Sequence, residues 1–223
     1  MRVTLPSGTP AEVALPAGQA ARGVVVFPDI HGLRPLFDDL AARLADERSW
    51  AVAEVELFPG LAPDASVDDR FAAVPTLDDG RILGDASAAA DLLVERAEVD
   101  RVAVMGFCIG GMYAYMAAAS TRFDRAVSFY GLIRIPAAWR GRAQREPLMA
   151  LADPHVAPVL SIVGGQDPYT PPEDVAELDR FGPLVHVVPF PEADHGFVHD
   201  PSRPTHRAAD AAVAWTAVAE FLA

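Results

Sequence analysis

The chain has only one cysteine in 223 residues. That excludes an internal disulfide and any metal site built on cysteine pairs. Basic residues are scarce as well: 18 Lys and Arg stand against 31 Asp and Glu, a formal net charge of -13. A surface this acidic disfavours nucleic acid and anionic membrane as partners and favours solubility. No apolar run approaches the roughly 18 residues that a membrane helix needs, and Met1–Pro6 lacks the apolar core of a signal peptide. The expected address is the cytoplasm, where a free thiol stays reduced. Repeats, low-complexity tracts and linker-like stretches are also missing. Residues 1–223 are therefore expected to form a single α/β domain, long enough to bury a large core. The acidic pairs Asp68–Asp69 and Asp78–Asp79 have no histidine partners and read as solvated loop charge, so no metal is expected.

What is present is an alternation of short apolar runs and helical periods. Arg2–Leu5 and Ala11–Leu15, joined by Pro6–Pro10, read as an antiparallel hairpin at a sheet edge. Gly23–Phe27, Trp50–Val55, Arg101–Met105, Arg125–Phe129, Val159–Val163 and Leu184–Phe190 are near-continuous apolar runs, the mark of strands buried on both faces of a parallel sheet. Helical periods fill Leu36–Arg48, Asp85–Ala97, Met112–Ser120, Pro172–Arg180 and Ala208–Leu222. Residues 58–84 look irregular. Residues 131–156, with Trp139 and several arginines, read as a long excursion, either a lid or a solvated loop. The alternation predicts a doubly wound, mostly parallel sheet with the hairpin at one edge.

The cysteine sits in a telling frame. Val102–Met105 leads into Gly106-Phe107-Cys108-Ile109-Gly110-Gly111, and an Ala-rich helical segment follows. Glycines two before and two after Cys108 suit a sharp strand–turn–helix elbow, in which side chains at those positions would collide with strand and helix. The helix aims its free N–H groups and positive dipole end at the apex, a field that favours a thiolate. Cys108 is the candidate nucleophile.

In an open parallel sheet, ligands bind at the carboxyl ends of the strands. Beyond Cys108, polar residues of the right type stand there at Asp29 and His31, at Asp167, and in Glu192–Phe197. The order nucleophile, acid, histidine is that of an α/β-hydrolase triad. A thiol needs a base or a positive environment to act as a nucleophile. His195, with an unperturbed pKa of about 6.5, is the candidate base. Asp167 would orient its ring and stabilise the imidazolium. Asp194 adjoins His195 and is poorly placed to reach that ring; Asp174 and Asp179 fall in helical sequence. The backbone N–H of Ile109, joined by that of Ile30 from the Pro28–His31 loop, would form the oxyanion hole.

Gly106–Gly111, Gly165-Gln166-Asp167 and Asp194-His195-Gly196-Phe197, together with Pro28-Asp29-Ile30-His31-Gly32 and Tyr130-Gly131, resemble the signature blocks of the dienelactone hydrolase family from about Val24 to the C-terminus. The resemblance implies a Cys108–Asp167–His195 hydrolase of small lactones or esters, cytoplasmic and monomeric, without metal or cofactor. It also implies that Phe197 belongs to the site. The chain departs from the family where Asp29 replaces a Glu that contacts the cysteine, and where His31 replaces an apolar or aromatic residue. It departs again where His199 stands in place of an arginine that binds a substrate carboxylate. Arg70 and Arg81 are loose matches to a second such arginine, and Arg34 is another source of positive charge. Asp29 either tunes the thiol or closes a turn, His31 is a pocket wall or a base, and Tyr130 lines the pocket or packs in the core. Two other functions stay open: thioester hydrolysis or acyl transfer on the same triad, and ligand binding without catalysis.

Overall fold

The computed structural model describes residues 1–223. Its strands are β1 (Arg2–Thr4), β2 (Pro10–Ala14), β3 (Arg22–Phe27), β4 (Trp50–Val55), β5 (Val102–Phe107), β6 (Ala126–Phe129), β7 (Val159–Gly164) and β8 (Val185–Phe190). Its helices are α1 (Pro35–Arg48), α2 (Val67–Ala73), α3 (Asp79–Ala97), α4 (Ile109–Ala117), α5 (Pro147–Leu151), α6 (Pro172–Leu178) and α7 (Ala208–Phe221). The strands form one sheet in the order β1-β2-β4-β3-β5-β6-β7-β8. β1 and β2 form the expected antiparallel hairpin, with Arg2 opposite Glu12, and β2 pairs antiparallel with β4; all other pairs are parallel. This is an α/β-hydrolase-like sheet.

Alternate residues of each buried strand face opposite layers. Val25, Phe27, Ala51, Ala53 and Val104 pack on one side against Ile82, Ala86 and Leu93 of α3 and Met112 and Tyr113 of α4. Val24, Val26, Val52, Met105 and Phe107 pack on the other against Phe37, Leu40 and Leu44 of α1 and Ala214 and Val218 of α7. Burial on both faces is why these strands read as unbroken apolar runs.

Two stretches are more ordered than the sequence suggests. The 58–84 segment contains α2, whose N-terminus carries a capping box between Ser66 and Asp69. α3 begins at Asp79, six residues before the predicted start at Asp85; the Asp78 side chain caps it by accepting from the Arg81 N–H. Gly80 and Gly84, poor helix formers in isolation, hid that first turn. The 131–156 segment is not a solvated loop. Leu148, Ala150 and Leu151 of α5 are buried, the Gln144 side chain donates to the Val74 carbonyl, and Asp79 accepts from the Arg145 N–H. Trp139 is thereby carried to the carboxyl edge of the sheet.

Candidate active site

The chain passes from β3 to its neighbour β4 on one side and later returns to place β5 on the other. The carboxyl ends of β3 and β5 thus flank a topological switch point, where open sheets leave a crevice. The loop after β3 carries Ile30, and the turn after β5 carries Cys108.

Cys108 has φ 58° and ψ -119°, a left-handed conformation costly for a residue with a side chain. The glycine frame explains how the turn closes. A Cβ on Gly106 would lie 2.0 Å from the Gly110 carbonyl oxygen, and one on Gly110 would lie 2.3 Å from the carbonyl oxygens of Phe27 and Pro28. α4 therefore starts hard against β3, with Ile109 as its first residue. The Ile109 amide is one of the unpaired donors of that helix end, and no turn or cap hydrogen bond uses the N–H of Ile30 or Ile109.

The acid and the histidine arrive from the far half of the sheet. Gly164 and Gly165 let the turn after β7 press against the loop after β8, where Cβ atoms would meet the carbonyl oxygens of Ala193 and Pro191 at 2.5 Å. The Gln166 N–H donates to the Ala193 carbonyl across that contact. Asp167 consequently meets His195: Nδ1 of the ring lies 2.8 Å from Oδ2, while Oδ1 accepts from the Tyr169 N–H at 2.8 Å. Asp194 is occupied locally, accepting from the His195 N–H. Burial works against a charged ring at His195. The negative charge of Cys108 and the hydrogen bond that Nδ1 donates to Asp167 outweigh it and raise the pKa to about 10. His195 Nε2 is buried and has no partner of normal hydrogen-bond geometry, although Cys108 is close enough for its charge to act on the ring.

A small cavity of about 70 Å³ opens between these residues. Ile30, Cys108 and His195 form its floor, and Phe71 of α2, Trp139 and Tyr169 wall it. Trp139 stacks on Tyr169 with ring centroids 5.7 Å apart, and Phe71 sits 5.2 Å from Trp139. Arg203 also lines it, and its guanidinium makes no ion pair or side-chain hydrogen bond with the rest of the chain. Larger surface hollows, such as one between Pro16 and Arg96, hold no comparable set of groups.

The remaining predicted residues divide differently. Asp29 borders the cavity, but its carboxylate accepts from Arg34 Nη1 and Nη2 at 2.6 and 2.9 Å, from His199 Nε2 at 2.9 Å and from the His31 N–H at 3.0 Å. No hydrogen bond joins it to Cys108. Asp29 therefore closes the turn of the loop, and Arg34 is committed to it. Tyr130, Phe197 and His199 are buried beside or beneath the site rather than exposed to its cavity. His31 is half-buried, does not line the cavity, and burial lowers its pKa. Arg70 and Arg81 are occupied by Glu56 and Asp85. Sequence reasoning missed Phe71, Tyr169 and Arg203. Tyr169 was findable, being an aromatic two residues past the acid and in the same turn. Arg203 gave only the weak signal of a cation in the loop that carries His195.

Residues 9–223 match the model of the dienelactone hydrolase family. The chain belongs to the dienelactone hydrolase family. It is 32% identical over 201 residues to a Bradyrhizobium protein provisionally named 2-oxo-3-(5-oxofuran-2-ylidene)propanoate lactonase, covering 86% of this chain and 79% of that one. It is 27% identical over 205 residues to the carboxymethylenebutenolidase of Rhodococcus opacus, covering 89% and 79%. A Klebsiella pneumoniae crystal structure with a provisional dienelactone hydrolase name superposes with a TM-score of 0.87 at 24% identity, over 99% of this chain and 96% of that one, which shows the fold. As a dienelactone hydrolase-like protein, the chain is a hydrolase of lactones or esters, in a family of carboxylic ester hydrolases. No helix of this chain is long and apolar enough to cross a membrane.

Proposed function

We propose that this member of the dienelactone hydrolase family opens a small lactone or carboxylic ester through an acyl-enzyme on Cys108, with His195 and Asp167 completing the triad. The Cys108 thiolate attacks the carbonyl carbon. The oxyanion that forms is met by the N–H groups of Ile30 and Ile109, each such donor being worth about 10²–10³ in rate. Collapse breaks the C–O bond, and the His195 imidazolium gives its proton to the departing oxygen. For a lactone, that oxygen stays tethered to the acyl group. Water then attacks the thioester, His195 takes a proton from it, and the C–S bond breaks to release a carboxylic acid and restore the thiolate. These steps call on no metal or cofactor, and the substrate is a small molecule.

The observation that carries this reading is the pairing of His195 Nδ1 with Asp167 at 2.8 Å while Nε2, left without a partner, shares a cavity with the strained apex at Cys108. A raised His195 pKa suits the reading, since an imidazolium is the form that can protonate a leaving oxygen. The unpaired Arg203 at the cavity supports a substrate that carries an anionic group, and the aromatic wall of Phe71, Trp139 and Tyr169 supports a flat one. The test compares enol-lactone, p-nitrophenyl ester and acyl-thioester substrates at equal concentration with wild type and Cys108→Ala. The expected result is highest turnover on the lactone or ester and loss of turnover in Cys108→Ala, with unfolding temperature retained. Undiminished turnover by the variant would move the nucleophile elsewhere.

A further inference from the structure

Beneath the cavity runs a second chain of polar groups that the triad does not use. The Tyr130 hydroxyl meets His199 Nδ1, His199 Nε2 meets Asp29 Oδ2, and Arg34 grips both oxygens of Asp29. The Tyr130 and His199 side chains are fully buried and Asp29 is 1% exposed. Proton placement along the chain is determined by environment. Burial raises the Tyr130 pKa, reinforced by the charges of Asp29 and Cys108, so its hydroxyl keeps its proton and donates. Burial keeps His199 neutral despite its bond to Asp29, and the charges of Arg34 and Arg203 act in the same direction. A neutral ring that accepts at Nδ1 must carry its proton on Nε2 and donate to Asp29. Burial opposes charge at Asp29, but the bonds from His199 and Arg34 hold it far below the usual carboxylate range, as an anion. Every donor in the chain faces an acceptor.

This chain joins the two backbone segments that bracket the nucleophile. Asp29 directly precedes Ile30, and its turn is closed further by the Gly32 N–H donating to its carbonyl at 2.9 Å. Tyr130 has a positive φ of 39° just past the end of β6, and its ring stands edge-on to His195 with centroids 5.1 Å apart. The His199 ring packs 5.0 Å from Phe107, which directly precedes Cys108. One imidazole therefore touches the loop carrying Ile30, the strand leading to Cys108 and the wall behind His195. Side-chain links of this kind hold reacting groups to the tolerance that catalysis needs.

We propose that His199 is a positioning residue: by bridging Tyr130 and Asp29 it holds the Ile30 N–H at the place where the oxyanion forms. The proposal rests on the reading of Ile30 as an oxyanion donor and Cys108 as the nucleophile. It assigns Asp29 to the support of its loop rather than to the thiol.

The test uses His199→Leu, His199→Gln and Tyr130→Phe. For each, kcat and KM are measured on an ester that wild type turns over, alongside the rate of Cys108 alkylation by iodoacetamide and the unfolding temperature. Loss of one oxyanion donor lowers kcat by about 10²–10³. His199→Leu, which can neither donate nor accept, is expected to lose kcat on that scale. Its KM should stay within about threefold, and its alkylation rate should match wild type, because alkylation needs no oxyanion hole. His199→Gln can accept from Tyr130 through Oε1 and donate to Asp29 through Nε2, and should recover most of kcat. Tyr130→Phe keeps the ring and tests the link if the Leu variant does not fold; its kcat should fall with alkylation unchanged. The proposal is overturned if a folded Leu or Phe variant keeps wild-type kcat, if kcat and alkylation fall together, or if Gln fails as completely as Leu. Full turnover by Cys108→Ala would instead remove the reading beneath it.

Discussion

At the scale of single residues, the site depends on one imidazole holding two relations at once. His195 gives Nδ1 to Asp167 and leaves Nε2 free beside Cys108. Burial disfavours its charged form, and the influence of Cys108 and Asp167 reverses that. The folded-state pKa of about 10 lies above the unfolded value of about 6.5. Below about 6.5 both states hold the proton and the stabilisation is complete. Between about 6.5 and 10 only the folded state holds it, so this contribution to stability fades as pH rises through the folded value. An NMR titration of the His195 ring should follow that high midpoint. It should shift downward in both Cys108→Ala and Asp167→Asn, because each removes a raising influence. A midpoint unmoved by Cys108→Ala would mean that thiol and ring do not interact. The triad candidates were legible in the sequence because each stands in a short motif after a strand. Arg203 and His199 were not readable in the same way. The loop after β8 turns through Gly196 at φ +77°, and spacing alone does not say that residue 199 points beneath the cavity while residue 203 borders it. His199 consequently stood out only as the replacement for a substrate-binding arginine, and Arg203 did not stand out.

At the scale of elements, the decisive one is the β5–α4 elbow. Its strain at Cys108 is held by close packing on both sides: α4 against the carbonyl oxygens at the end of β3, and Gly111 against Gly131 past β6. A methyl group has no room in this arrangement. Gly106→Ala would set a Cβ 2.0 Å from the Gly110 carbonyl oxygen, so the turn must open. Overpacking of this kind costs about 1–3 kcal/mol or more. Urea denaturation should show a loss on that scale, with slower alkylation of Cys108 in the population that stays folded. A variant as stable and as reactive as wild type would contradict the account of the elbow. The elbow and the buried strands were readable from their local patterns. α2 and the first turn of α3 were not, because Gly, Pro and Asp around them mimic a loop. The caps at Ser66 and Asp78, together with the docking of residues 131–156 on α3 and α4, supply the order. That docking turns an ambiguous excursion into the wall that carries Trp139.

At the scale of the whole molecule, the sheet order brings four distant stretches to one edge. Ile30, Cys108, Asp167 and His195 follow β3, β5, β7 and β8, so all four lie at the carboxyl ends of the strands. A chain with a net charge of -13 presents an unpaired arginine at this cavity, a local reversal of its overall sign that suits an anionic substrate group. Membership of the dienelactone hydrolase family gives the class of bond that is cut, and the central claim is that it is cut through a thioester on Cys108. Rapid acid quench of the protein during turnover of a p-nitrophenyl ester, followed by peptide mass spectrometry, tests that claim most directly. A thioester on Cys108 would appear as a mass increase equal to the acyl group on the peptide containing Cys108, with no such increase in Cys108→Ala. Acylation of a different residue, or steady turnover by the Cys108→Ala protein, would contradict it.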